Sequence, residues 1–392
     1  MKKYSVYSLL ALGVVALSGC QDEEIVKPVN PAVTGEEITF GSSLYDAETR
    51  TIYGDLNEEG TAYPVYWEAG DQISIYCPQS NNTQRVLYSV TPQDPAKEYE
   101  VSEGVYAPGD KSKSEAVTKL DQNAPGLQWG AEEVHEFSAF YPADKILSSE
   151  QGVITAEIPV EQAPVEWKTT PNGTGTTYTG IANTDYAFMW AFNKHEKSKG
   201  GDVALKFRPW VTILDVEING PADDREVKMS SVQLRSLSGE TLTGRFTVDF
   251  KAVEENPNFY PTYAAVDDQG GAVRNQITIQ LYDQSLNNGQ GDFITLRKGD
   301  KIVVRFYLLP KDVNYDTSGE GRNDLEIRVA PFNSAVLTRT LNAQDGAVTG
   351  GILAHKVNKV ILPPVSNEGA NYWMSSLDPN IYVTELSLPG SK

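Results

Sequence analysis

Runs of alternating apolar and polar residues follow one another along most of the chain, separated by short turns rich in Gly, Pro and Asn. A side-chain period of two residues is typical of a β-strand with one buried face. The predicted strands lie at 38–44, 73–77, 85–90, 98–101, 136–141, 152–160, 186–192, 203–207, 211–218, 227–237, 241–250, 276–282, 301–309, 325–330, 335–341 and 356–362. Few segments have a helical period. The spacing predicts an all-β fold of the sandwich or barrel type.

The first of these runs is followed by a potential cleavage site. Ile38, Phe40 and Leu44 fall on one face of the predicted strand, and a polar, acidic segment then leads to Arg50. Proteases prefer exposed loops with small and polar residues. A cut between Arg50 and Thr51 would separate this strand from the rest of the chain.

The last apolar run lies beyond the point where the second half already looks complete. After Pro363 and Pro364 the chain turns polar, and two apolar runs follow, at 372–374 and at 381–388. In the run at 381–388, Ile381 and Val383 would lie on one face of a strand, while Leu386 and Leu388 would lie on the other. A bulge or a break near Thr384 would reconcile the two.

Length and turn chemistry favour two domains. A chain of 392 residues suggests two to three domains, and two is the prediction made here. Gly-Asp turns between apolar runs, at 70–71 and 299–300, each predict a hairpin, one in each half. The charged segment 195–201 ends in a Gly pair and is the predicted linker. The predicted domains are therefore 36–198 and 199–392, the second including the tail 371–392.

The N-terminus has the features of an export signal. Lys2 and Lys3 precede an apolar run at 4–16 that is short for a membrane span, and Leu-Ser-Gly-Cys at 17–20 resembles a bacterial lipobox. We therefore expect a lipoprotein signal peptide at 1–20, a lipid on Cys20 and a tether at 21–35. The alternative is a plain cleaved signal with an unmodified Cys20. If Cys20 is lipidated, Cys77 has no partner for an intrachain disulfide.

Charge and motif content argue against several classes of function. The formal net charge of −20 makes a nucleic-acid partner improbable, because phosphate contacts need basic patches. The sequence has no nucleophile elbow, phosphate-binding loop or paired-Cys zinc spacing. Its three His residues, 135, 195 and 355, are far apart in sequence. We therefore expect no enzymatic activity, no cofactor and no metal site. Tyr63, Tyr66 and Trp67 could form a sugar-binding platform, although strand aromatics usually pack in cores.

Several of these features together resemble the fimbrillin family, the lipoprotein precursors of type V pili. The resemblance rests on the lipobox, the first strand with Arg50, the Trp67-x-x-Gly70-Asp71-x-Ile73 segment, the Ala191–His195 junction and the tail at 377–390. It implies two transthyretin-like β-sandwich domains in tandem and export as a lipoprotein to the outer membrane. It also implies trimming by an arginine-specific surface protease, after which the C-terminal strand of a neighbouring subunit replaces the first strand.

The family pattern assigns a role to named residues of this chain. Cys20 corresponds to the lipidation site, Arg50 and Thr51 to the cleaved bond, Ile38, Phe40 and Leu44 to the displaced strand, and Ile381, Val383, Leu386 and Leu388 to the donor strand. The implied partners are other pilus subunits, the protease and the outer membrane. Arg85 is a less favourable cleavage site because it adjoins a predicted strand. The alternative is a monomeric outer-membrane lipoprotein that binds glycans or host-surface ligands.

Overall fold

The computed structural model describes residues 32–44, 52–53, 65–102, 104–150, 152–250, 260–266, 274–310, 325–332, 336–341, 352, 354–355, 357–362 and 380–384. The predicted signal peptide, Cys20, Arg50, Thr51, Leu386 and Leu388 lie outside the described residues. No helix in these ranges is long and apolar enough to cross a membrane.

Nearly every regular element in the described ranges is a strand. The first half contains β1 (Phe40–Leu44), β2 (Ile52–Tyr53), β3 (Val65–Tyr66), β4 (Asp71–Tyr76), β5 (Arg85–Pro92), β6 (Glu98–Ser102), β7 (Val105–Pro108), β8 (Ser114–Lys119), β9 (Val134–Tyr141), β10 (Ser148–Glu150), β11 (Val153–Ile158), β12 (Glu161–Gln162), β13 (Glu166–Pro171), β14 (Thr176–Ile181) and β15 (Met189–Glu196). The second half contains β16 (Val203–Pro209), β17 (Thr212–Asn219), β18 (Val227–Ser236), β19 (Gly244–Asp249), β20 (Tyr263–Ala265), β21 (Gln276–Gln280), β22 (Tyr282–Asp283), β23 (Asp292–Phe293), β24 (Thr295–Leu296), β25 (Lys301–Leu308), β26 (Leu325–Pro331), β27 (Leu337–Leu341), β28 (Val357–Leu362) and β29 (Asn380–Thr384). Short 3₁₀ turns lie at Ala143–Lys145, Thr184–Tyr186 and Lys197–Lys199, and a single helical turn at Leu286–Gly289. The predicted all-β fold is confirmed.

The strands form four larger sheets within the described part of the chain. Sheet A has the order β1-β16-β15-β9-β4-β5-β8, and sheet B has the order β10-β11-β19-β20. Sheet C has the order β12-β21-β18-β26-β27, with β24 also paired to β18, and sheet D has the order β13-β14-β25-β17-β28-β29. Three ribbons, β2-β3, β6-β7 and β22-β23, are two-stranded.

Three clusters of buried apolar side chains hold these sheets together. The N-terminal core is lined by sheet A and includes Phe40, Trp67 and Phe137. The C-terminal core lies between sheets C and D, so this half is a β-sandwich whose strands supply Leu234 and Val216 from opposite sides. A third, junction core combines residues from both halves of the chain, among them Phe140, Phe188, Trp190, Trp210 and Phe246.

Sheet pairing crosses the predicted domain boundary at 198/199. Strand β16 follows that boundary in sequence but belongs to sheet A, whereas β11 and β14 precede it and pair with β19 and β25. The division into two tandem domains stays a prediction.

The two Gly-Asp turns share one geometry, but neither joins the two strands of a hairpin. Asp71 accepts the amide of Glu68 at 2.7 Å and Asp300 accepts the amide of Arg297 at 2.8 Å. The glycine before each aspartate has a φ of 96° or 86°, which only glycine adopts readily. Strand β3 pairs with β2 while β4 pairs with β5 and β9, and β24 pairs with β18 while β25 pairs with β14 and β17. The hairpin prediction is therefore wrong: each turn carries the chain from one sheet to another.

Candidate functional site: the groove of strand β1

The candidate site is the space between β16 and β8 in which β1 lies, named here the β1 groove. Strand β1 alternates buried and half-buried residues, as its sequence predicts. Ile38, Phe40 and Leu44 are 2%, 5% and 7% exposed and belong to the N-terminal core. The three residues predicted to be on one face of the strand therefore do share the buried face.

One side of the groove is a regular parallel ladder. Phe40 to Leu44 pair in register with Val203 to Phe207 of β16. The amide of Val203 donates to the carbonyl oxygen of Thr39 at 2.9 Å, just before the ladder begins. Parallel pairing of these segments requires a long connection, and the chain between them supplies the remaining strands of sheet A.

The other side of the groove is bonded to the chain around β8. The amide of Leu44 donates to the carbonyl oxygen of Ser112 at 2.9 Å, and Ser43 forms an antiparallel bridge with Lys113. The Ser114 hydroxyl accepts the amide of Ser42 at 2.7 Å and donates to its carbonyl oxygen at 3.1 Å. Strand β1 is thus hydrogen-bonded on both edges and connects the two ends of sheet A.

The segment that leads into β1 is held by a third piece of chain. Gly35 and Ile38 donate their amides to the carbonyl oxygens of Trp129 and Leu127, each at 2.8 Å, and Trp129 donates to Glu36 at 2.9 Å. These bonds fix the position of the strand along the groove before the ladder with β16 begins.

Aromatic packing around Phe40 supplies much of the attraction between β1 and the core. Its ring lies 5.1 Å from the ring of Tyr88 and 5.6 Å from that of Phe137, both in edge-to-face geometry. Burial raises the pKa of Tyr88 to about 12, and its hydroxyl accepts the amide of Leu127 at 3.1 Å. Burying a large apolar side chain contributes about 1.5–3 kcal/mol. The three core residues of this strand together contribute roughly 4.5–9 kcal/mol of gross stabilisation.

The predicted cleavage site lies between two described strands. Arg50 and Thr51 fall between Leu44, where β1 ends, and Ile52, where β2 begins. Arg85 differs, since it is the first residue of β5 and its Nε donates to the hydroxyl of Ser74 at 2.7 Å. Burial also lowers the pKa of Arg85. A protease needs an accessible substrate, so these contacts make Arg85 an unfavourable site.

The predicted donor strand is only partly described. Ile381 and Val383 lie in β29, which pairs antiparallel with β28 of the same chain at the end of sheet D. Leu386 and Leu388 lie beyond the described residues. Among the described residues, β29 has one neighbouring strand, whereas β1 is bonded on both sides.

Sequence reasoning missed the residues that form the walls of the groove. Ser112 and Ser114, the segment around Leu127, and Val203 lie about 70 to 160 positions from their partners in or beside β1. No local pattern marks them, because their role depends on which strands become neighbours. The only available signal was that 114–119 alternates weakly and that 203–207 follows the predicted linker.

The other sequence candidates have structural roles. His135 and His195, distant in sequence, are opposite each other on β9 and β15, and both rings lie against Trp129. His135 is fully buried, its Nε2 accepts the amide of Gly130 at 2.8 Å, and burial followed by the charge of Lys197 lowers its pKa. No group of three or more potential metal ligands occurs among the described residues.

The aromatic sugar platform is not formed by Trp67. Its indole is buried and lies edge-on to Tyr141 and Phe207 at 5.6 and 5.3 Å. Cys77 is also fully buried, and burial raises the pKa of its thiol to about 12. Both residues belong to the N-terminal core.

Comparisons with known proteins give structural neighbours only. No protein-family model matches the chain, and no curated protein matches it. The chain is similar to a candidate cell adhesion protein from Bacteroides uniformis, with a TM-score of 0.47 and 12% identity, covering 88% of this chain and 96% of that one. It is also similar to one from Bacteroides ovatus, with a TM-score of 0.45 and 12% identity, covering 90% and 97%. A third is a tip fimbrial protein from Porphyromonas gingivalis with a C-terminal truncation, with a TM-score of 0.32 and 9% identity, covering 89% and 98%.

Proposed function

We propose that this protein is a structural subunit of a cell-surface pilus that supports adhesion. In this proposal it is exported as a lipoprotein, carries a lipid on Cys20 and is held at the outer membrane. An arginine-specific surface protease trims it between Arg50 and Thr51, and β1 leaves. The C-terminal strand of a neighbouring subunit then fills the β1 groove.

The observation that carries the proposal is the position of β1 between two sheet edges. The strand supplies three core residues, is hydrogen-bonded on both sides, and is separated from β2 by the segment that contains Arg50. Its gross contribution of roughly 4.5–9 kcal/mol is comparable with a typical domain stability of about 5–15 kcal/mol. A subunit without β1 would expose a long apolar groove with two unpaired strand edges, which favours binding of another strand.

The positions of donor and acceptor account for a filament. The β1 groove belongs to sheet A, whereas β29 lies at the end of sheet D. A contact between different surfaces of identical subunits is heterologous and propagates until the chain of subunits closes or ends. Strand exchange at these two places therefore produces a linear polymer.

Limited proteolysis tests this proposal directly. The chain from Gln21 onward, which contains every described residue, is incubated with an arginine-specific protease and analysed for SDS-resistant oligomers. We expect a ladder of oligomers whose subunits begin at Thr51. The control is Arg50→Lys, which keeps the charge but removes the specific site, and should stay uncut and monomeric. An intact N-terminus with no ladder would contradict the proposal, as would a ladder formed equally by Arg50→Lys.

A monomeric binding protein is the second candidate, and one observation favours it. Strand β29 pairs with β28 of its own chain, so the tail has a place on its own sandwich. If the trimmed chain stays monomeric, binding to a glycan array becomes the next measurement. A surface cluster of Tyr282, Phe293 and Phe332, with ring centroids 5.3 Å apart in each contact, is the first place for substitutions.

A further inference from the structure

The inward positions of β1 have a distinctive order of sizes. Phe40 is large, Ser42 is small and Leu44 is intermediate, and all three are buried. The Ser42 hydroxyl is enclosed and has no hydrogen-bond partner among the described residues. Because this hydroxyl is enclosed and the residue is 5% exposed, the groove has little room at this position for a larger side chain.

The C-terminal tail has this order twice. The first copy, Trp373, Ser375 and Leu377, has the uncharged Ser376 between its last two members, whereas the second copy has Glu385 there. In the second copy, Tyr382, Thr384 and Leu386 are an aromatic residue, a small hydroxyl residue and a leucine at the same spacing. The residues on the opposite face of such a strand are Ile381, Val383 and Glu385. A strand that turned those residues inward along the length of β1 would bury a carboxylate in the N-terminal core, which is costly without a partner.

The outward face of the groove independently favours the same alignment. If Tyr382 takes the place of Phe40, Glu385 takes the place of Ser43. Ser43 is opposite the exposed Lys206 on one side and the exposed Lys113 on the other. A carboxylate there would lie between two cations. A shift of the tail by two residues in either direction loses this match.

The outward position at Gly41 has room for a side chain. Val383 takes the place of Gly41, where an added Cβ meets no atom within 4 Å. Thr384 adds one methyl group relative to Ser42, a modest increase in volume. Asn380 takes the place of Ile38, which lies two residues before β1, is 2% exposed and belongs to the N-terminal core. An amide replaces an apolar side chain there, so the match covers only the five residues of the strand itself.

From these four observations we infer that Tyr382–Leu386 of a second copy replaces Phe40–Leu44 residue for residue, parallel to β16. This inference rests on the proposed function and specifies its register. It places Tyr382, Thr384 and Leu386 in the core of the acceptor, and it places Ile381 and Val383 on the outward face. The enclosed site of Ser42 thereby selects for a small residue at 384.

A pair of lysine substitutions tests which parity faces the groove. The trimming experiment is repeated with Thr384→Lys and with Val383→Lys, which introduce the same side chain at adjacent positions. Burial of an unpaired ammonium should reduce oligomer formation by Thr384→Lys about 100-fold or more, while Val383→Lys stays within about threefold of the unchanged chain. The reverse result would overturn the inferred parity.

A cysteine pair tests the register. Gly41 is opposite Ala204, which is exposed, so the inference places Val383 of one copy beside Ala204 of the next. Neighbouring strands are about 4.8 Å apart, within the Cα–Cα range of disulfides. The trimmed double variant Ala204→Cys/Val383→Cys should form oligomers linked by disulfides, whereas Ala204→Cys/Glu385→Cys should form oligomers without them.

The outcomes separate the inference from the proposed function. If the unchanged chain forms no oligomers after trimming, the proposed function fails and the inference fails with it. If oligomers form but the disulfide appears only with Glu385→Cys, or with neither variant, the proposed function stands and the register is overturned.

Discussion

Replacing Phe40 by alanine should destabilise the N-terminal core far more than any other part of the protein. Phe40 is 5% exposed and its ring contacts Tyr88 and Phe137. A buried Phe→Ala change costs about 3–5 kcal/mol, because transfer free energy is lost and a cavity is left behind. A loss of that size lowers the folding equilibrium constant by roughly two to four orders of magnitude.

Hydrogen exchange is the suitable assay, because it reports the two halves of the chain separately. Peptides from β9 should exchange faster in Phe40→Ala, since β9 supplies Phe137, while peptides from β18 in the C-terminal core should be unchanged. Ser43→Ala is the matched control, on the same strand but outside the apolar core. If the two variants exchange alike in β9, or if Phe40→Ala lowers local stability by less than about 1 kcal/mol, β1 is not a core strand.

Three further predictions concern the rest of the molecule. Asp215 and Arg305 form a nearly buried bidentate ion pair at 2.5 and 2.6 Å, so Arg305→Ala should cost about 3–5 kcal/mol in urea unfolding, and the apolar pair Asp215→Leu/Arg305→Met should recover much of it. Burial lowers the pKa of His135, so the folded state favours the neutral ring. The contribution of this ring to folding stability is therefore complete above pH 6.5 and is lost as the pH falls from there through the lowered pKa. In His135→Gln the melting temperature should depend less on pH between about pH 5 and 7. The thiol of Cys77 should resist iodoacetamide at pH 8 until urea unfolds the protein, because its pKa is raised to about 12; labelling of the native chain would contradict this.

Local patterns in the sequence predicted the strands well where one face is buried. The alternation of Ile38, Phe40 and Leu44 predicted both a strand and its inward face, and the structure has both. The same reasoning predicted no strand at 176–181, a run of Thr, Tyr and Gly. That segment is β14, an interior strand of sheet D whose residues are mostly half-buried, so its sequence shows no strong alternation.

Pairing between distant strands could not be predicted from any local pattern. The Gly-Asp turns were identified correctly as turns, but whether the flanking strands pair with each other depends on sheet geometry, and here they do not. Likewise, His135 and His195 are 60 positions apart in sequence and adjacent in space. The walls of the β1 groove depend on the same kind of long-range pairing. The sequence therefore predicted strand β1 but not which segments lie beside it.

The proposed exchange would move the C-terminal strand from a place with one hydrogen-bonded edge to a place with two, which favours exchange over the free subunit. In the free subunit β29 has β28 as its only neighbouring strand within the described chain. A strand in the β1 groove has the ladder with β16 and, on the other side, the three hydrogen bonds that β1 makes to Ser112 and Ser114. At about 0.5–1.5 kcal/mol net per bond, the second edge adds roughly 1.5–4.5 kcal/mol. Burial of Tyr382 and Leu386 in the acceptor core adds to this gain. Because β1 itself has the same two edges, the tail would gain nothing by displacing it from the intact chain. In the proposed exchange, cleavage at Arg50 is therefore the step that would make the replacement favourable.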